Sequence, residues 1–199
     1  MGYSTILDIL ASVIMGGILL TTVLRLSDSA AEKTYNYSGE LSLQQNLATV
    51  AQVIEYDFRK MGYCANWQNF PDPTKAIAQA DSSSIKFYTD INNDGNIDSI
   101  RYYLGPTSEL TSTPNPRDRL LYRVVNTSVP TEVNLGITQF YLIYFDALGD
   151  TVPLPITNPG IISSYEINIR VESVYAYDEK YSSAYWRQIR LVARNLKNR

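Results

Sequence analysis

The 199-residue chain contains no histidine and a single cysteine, Cys64. Without an imidazole there is no Ser-His-Asp or Cys-His catalysis, no histidine-bound zinc and no haem held by a protein histidine. One cysteine makes neither an internal disulfide nor a thiolate metal cluster. Positive charge is also scarce: 17 Lys and Arg against 20 Asp and Glu leave a net charge of −3. That balance gives no electrostatic footprint for a nucleic-acid partner. Carboxylate-only chemistry such as glycoside hydrolysis survives this elimination. No pair of acids stands out for it, and the chain is read as non-enzymatic.

Charge is missing most conspicuously from the N-terminal end. Every Lys and Arg lies at Arg25 or later, and Asp8 is the only charged side chain before it. Ile9–Leu24 carries no charge, and Ile6 and Leu7 extend the apolar run on the other side of Asp8. With its flanks this segment reaches the roughly 20 residues that a membrane-spanning helix needs. Three readings compete. A cleavable signal peptide calls for Lys or Arg before the apolar run, and none is there, although small residues at Ser29 and Ala31 would permit cleavage. A plain single-span anchor, carrying a periplasmic or surface binding domain, fits the length and leaves Asp8 unexplained. A helix that stays in lipid only until it packs against copies of itself gives that acid a purpose, because an ionisable group in such a segment costs a few kcal/mol unless paired.

Beyond Arg25 the apolar residues change period. Leu43, Leu47, Val50, Ile54, Phe58 and Met61 recur at three- and four-residue spacing, the stripe of an amphipathic helix. Gly62 follows where a left-handed cap would end it. Gly16-Gly17, Ser27–Ser29 and Asn36–Gly39 are places where the long helix could bend or break. From Ser84 onward the texture is β. Strands are expected at Ile85–Thr89, Ser99–Leu104, Arg119–Asn126, Ile137–Phe145, Tyr165–Tyr177 and Tyr185–Ala193. Turn formers such as Asn93-Asp94-Gly95 and Pro106–Pro116 separate them. The alternation of Glu166–Val171 predicts one buried and one wet face. The expected fold is α+β: a long N-terminal α-helix, hydrophobic in its first half and amphipathic in its second, packed on a C-terminal antiparallel β-sheet. The corresponding regions are 1–26 for the membrane or filament-core helix, 27–62 for the amphipathic helix and 63–199 for the β domain.

Three stretches resemble the type IV pilin and type II secretion pseudopilin superfamily, most closely its larger J-like or W-like minor subunits. Gly2-Tyr3-Ser4-Thr5-Ile6-Leu7-Asp8 resembles the processing motif, with the acid one residue further from the glycine than the family's glutamate. Ile54–Tyr63 is similar to the acidic-aromatic-basic helix end closed by Gly-Tyr, and Gln188–Asn195 to the terminal strand closing on Arg-Asn. The resemblance implies a structural subunit of an extracellular type IV pilus-like filament, or alternatively a minor pseudopilin of a periplasmic type II secretion pseudopilus. Its implied partners are copies of itself or other pilin-like subunits, the inner-membrane assembly machinery, and membrane lipid before assembly. It also assigns roles: Asp8, with Gly2 and Tyr3, to subunit register, and Gly16 and Gly17 to helix flexibility. No cofactor is required by this reading.

One loop carries a second signal. Asp90, Asn92, Asp94, Asn96 and Asp98 place oxygen-bearing side chains at alternate positions, with Gly95 sixth in the run. The spacing resembles the first part of a calcium loop. Arg101 occupies the twelfth position, where a bidentate glutamate belongs, so this is no complete EF-hand. Calcium binding and a plain hairpin turn are the two readings of these residues.

Overall fold

In the computed structural model, which describes residues 2–70, 72–175 and 181–191, one helix, α1, runs unbroken over Gly2–Arg59. No proline precedes Pro71, so nothing removes a main-chain donor from it. Gly16, Gly17 and Gly39 are each about 1 kcal/mol less favourable than alanine in a helix interior, and the helix continues through all three. It gives way at Lys60 and Met61, whose N–H groups reach back only three residues, to Asp57 O (3.2 Å) and Phe58 O (3.3 Å). Gly62 then takes the left-handed conformation (φ 73°), as its position predicts. Its N–H donates to Tyr88 O at 2.8 Å, which ties the helix end directly to a strand.

The chain divides into two units, residues up to Leu41 and residues from Ser42 onward. The first is helix alone, and its described side chains are exposed. The second has a core. Leu43, Leu47, Val50, Ile54 and Phe58 on the last turns of α1 are buried, as is Met61 just after it. At roughly 1.5–3 kcal/mol per fully buried large side chain, this stripe is what fixes those turns to the β structure.

The strands are β1 (Ile77–Ala80), β2 (Ser84–Thr89), β3 (Asp98–Leu104), β4 (Leu121–Val125), β5 (Thr131–Val133), β6 (Ile137–Phe145), β7 (Ser164–Glu172) and β8 (Ser183–Leu191). All pairings are antiparallel, and the α+β arrangement is the expected one. The single sheet, however, resolves into two meanders, β1-β2-β3-β4-β5 and β6-β7-β8. They separate because β6 makes isolated bonds on its free side rather than a ladder: Arg119 N–H to Ile137 O and Leu142 N–H to Ser82 O, both 2.8 Å. Phe58 joins them, its ring 5.3 Å from Phe87 on β2, 5.6 Å from Tyr102 on β3 and 5.4 Å from Tyr165 on β7.

Two strands go beyond the expected set. β1, Ile-Ala-Gln-Ala, has weak intrinsic strand preference and exists because Ile77 and Ala80 bury beside β2. β5 is three residues long and is held only at an edge. β7 stops at Glu172, short of the expected end at Tyr177: residues 173–175 leave the strand and turn towards β8, Ser173 N–H donating to Ser182 O at 2.8 Å. Residues 176 and 177 and the terminal Val192–Asn195 stretch, including Arg194, lie outside the described residues.

Candidate functional site

The N-terminal half of α1 is the candidate assembly surface. It is long and apolar enough to cross a membrane, and none of its most apolar window is buried. Ile6, Leu10, Val13, Met15, Leu20 and Val23 are all exposed, and so are their neighbours, so the cylinder is apolar around its whole circumference. Such a helix belongs inside lipid or inside a bundle. Three of its hydroxyls are satisfied within the helix. Ser12 Oγ donates to Asp8 O (2.7 Å), Thr21 Oγ1 to Ile18 O (2.9 Å) and Thr22 Oγ1 to Ile18 O (2.8 Å). Back-bonding of this kind suits a medium without water. The Asp8 carboxylate is different: among the described residues it has neither a hydrogen bond nor an ion pair. Tyr3 is exposed near the helix start at Gly2. An added Cβ at Gly16 or Gly17 would meet nothing within 4 Å.

The acidic loop joins β2 to β3 and is longer than a tight hairpin. Asp90 is fully buried and organises it. Its carboxylate accepts from Ala65 N–H (3.1 Å), Gly95 N–H (2.9 Å) and Asp94 N–H (3.2 Å). Burial alone would raise the Asp90 pKa, but the main-chain donors of Ala65, Gly95, Asn93 and Asp94 outweigh it and hold the carboxyl below its ordinary value. Asn96 N–H donates to Asp94 Oδ1 (2.7 Å), Asn92 Nδ2 to Asp94 Oδ2 (2.9 Å) and Ile91 N–H to Asp98 Oδ2 (3.2 Å). Gly95 needs its φ of 83° for the chain to turn back on Asp90. The five residues thus come together in one loop whose carboxylates are engaged by N–H groups. No set of three or more carboxylate or thiol ligands converges on a metal position among the described residues.

Three polar clusters in the second unit escaped sequence reading. On α1, Asp57 sits beside Phe58 on the buried face. Its carboxylate accepts from Tyr102 Oη (2.6 Å), Arg123 Nε (2.6 Å) and Arg123 Nη2 (3.2 Å). Tyr102 and Arg123 are cross-strand partners on β3 and β4, so one pair of strands grips the helix by one charge. The available signal was a lone acid three residues after Ile54 on an otherwise apolar stripe.

The second cluster corrects the wet face expected for Glu166–Val171. Glu166, Asn168 and Glu172 on β7 are all buried. Arg187 on β8 covers Glu166 with two 2.8 Å bonds, and Tyr185 hydrogen-bonds Asn168. Long side chains from the neighbouring strand lie over the face that alternation assigned to water. The Arg187 bonds hold the Glu166 carboxyl below its usual range. The third cluster surrounds Glu172, which takes Arg117 Nε (2.9 Å), Asn115 Nδ2 (3.2 Å) and Arg170 Nε (3.1 Å). Beside it Asp118 is 1% exposed, and neither carboxylate oxygen has a hydrogen-bond partner. Desolvation raises its pKa, and the charge of Glu172 adds to this.

Compared with known proteins, residues 36–142 match the family model described as prepilin peptidase-dependent protein B, more than half of the 199-residue chain. The chain belongs to the prepilin peptidase-dependent protein B family. No curated protein and no solved structure matches it. The family match runs from the amphipathic part of α1 through β1–β5 into β6. It therefore contains the Asp57–Tyr102–Arg123 cluster and the 90–98 loop. Gly2, Tyr3, Asp8, Gly16 and Gly17 precede the matched residues.

Proposed function

We propose that this protein is a structural subunit of an extracellular type IV pilus-like filament, held in the inner membrane by its N-terminal helix before assembly. The observation that carries this reading is an N-terminal helix segment, Ile6–Leu24, apolar on every side and carrying one acid, Asp8, whose carboxylate has no partner among the described residues, in a chain of the prepilin peptidase-dependent protein B family. Lipid and the interior of a helical bundle offer the apolar cylinder the same solvation, so transfer between them costs little. Asp8 is what distinguishes the two. Alone in lipid a carboxylate is disfavoured by a few kcal/mol, and in a bundle a cation on a neighbouring copy, such as its amino terminus, would relieve that penalty. Assembly is then favoured by one ion pair per subunit, which also sets register. Gly16-Gly17 is where the helix loosens most cheaply during extraction. The family description supports processing by a prepilin peptidase, and a cut after Gly2 is the one that fits the motif Gly2–Asp8 resembles.

The test is electron microscopy of material sheared from cells, with mass spectrometry of the subunit. Surface filaments made of this chain, with an N-terminus beginning at Tyr3, are the expected result. Filaments confined to the periplasm would mean a secretion pseudopilus instead. A mature chain beginning near Ala31 would overturn the filament reading, because the apolar helix would be gone.

A further inference from the structure

Three arginines converge where loop 105–119 crosses the β6–β7 pair. Arg117 and Arg119 come from the loop, and Arg170 comes from β7 opposite Gln139 on β6. Together with Thr107 and Glu172 they line an open cavity of about 390 Å³. That is the lower end of the size range for small-ligand sites. Glu172 is nearly fully buried and holds two of the three guanidinium groups, Arg117 Nη2 at 2.8 Å and Arg170 Nε at 3.1 Å. Arg117 is fixed further by lying 5.0 Å over the Tyr181 ring, whose hydroxyl donates to Pro114 O at 3.1 Å. Arg119 has no hydrogen bond or ion pair from its side chain among the described residues. The cavity therefore carries three positive charges against the one carboxylate of Glu172, and it stays positive even with the neighbouring Asp118 counted as ionised.

We propose that this cavity binds a tetrahedral oxyanion, a phosphate or sulfate group, with Arg119 as its principal ligand. Arg119 offers all five of its N–H donors, and Arg117 and Arg170 keep those that Glu172 does not use. Guanidinium forks match the oxygens of phosphate and sulfate pairwise. A carboxylate has only two oxygens, fewer than three forks and the Thr107 hydroxyl can serve. Glu172 preorganises the site: it fixes two forks before a ligand arrives and leaves the third uncompensated.

The test is thermal unfolding of the full chain in detergent, with inorganic phosphate, sulfate, acetate or chloride at equal ionic strength and on the order of 20 mM. Phosphate and sulfate are expected to raise the melting temperature by about 3 °C, and acetate and chloride to leave it unchanged. Arg119→Gln should abolish the shift, and Arg119→Lys, which keeps the charge without the fork, should weaken it. Arg101→Gln on β3, away from the cavity, should retain it. No shift with phosphate or sulfate in the wild-type chain would overturn the proposal. So would an equal shift with acetate, or a shift undiminished in both Arg119 variants.

Discussion

Leucine, isoleucine and valine dominate both ends of α1, yet they do opposite things there. From Leu43 to Phe58 all but Val53 form one stripe and are buried against two sheets. From Ile6 to Leu26 they cover every side and are exposed, several of them by more than 60%. The first arrangement is complete within one chain. The second is not, and no rotation of the helix could complete it, because a single sheet face buries at most one side of a cylinder. The lesson is that periodicity, rather than hydrophobicity, tells which part of a helix folds with its own chain and which part needs another medium or another copy.

The sharpest way to break that comparison is to truncate a matched pair of side chains. Phe58→Ala removes a fully buried ring that touches β2, β3 and β7, and should cost about 3–5 kcal/mol, lowering the melting temperature by roughly 10 °C. Leu19→Ala, in the exposed half, should move it by less than about 1 °C in detergent. Equal effects would mean that the first half also contributes to the folded core.

Within the folded half the next effect is electrostatic. Asp57→Ala strands Arg123 and the Tyr102 hydroxyl without their acceptor, and is expected to cost about 3 kcal/mol in chemical denaturation. A loss below about 1 kcal/mol would show that the pair is solvated like a surface bridge.

Asp118 should behave with the opposite sign. Its pKa is raised, so folding favours the protonated form, and stability present below the ordinary carboxyl range is lost as pH rises through the folded value. Asp118→Asn is therefore expected to raise the melting temperature by about 3 °C at pH 7, with the gain fading below about pH 4. A destabilised variant at neutral pH would reveal a partner for that carboxylate.

The smallest expected effect concerns the loop. Because Asp90 closes it with main-chain donors, a chelator should change the melting temperature by less than about 1 °C. A fall of several degrees would show that calcium carries the loop.

The long helix, its buried stripe, the Gly62 turn and six of the strands were legible because each rests on local pattern. What escaped depended on partners distant in sequence. β1 has the composition of a poor strand and is one only beside β2. The β7 face carrying Glu166 and Asn168 alternates like a wet surface, and Arg187 on β8 closes it. Two sheets rather than one follow from isolated bonds at Ile137 and Leu142 that no spacing announces. Asp8 was conspicuous for the reverse reason, a single acid in an apolar run standing out whatever surrounds it, and its role is the proposal that the Asp8→Ala variant tests.

The central claim is that Asp8 makes the exposed helix assemble rather than merely anchor. It is tested most directly by measuring, in cells expressing Asp8→Ala, how the chain divides between sheared surface filaments and membrane. Filament yield falling to about a tenth or less, with wild-type amounts in the membrane and partial recovery in Asp8→Glu, is the predicted result. Filaments at wild-type yield from Asp8→Ala would contradict it.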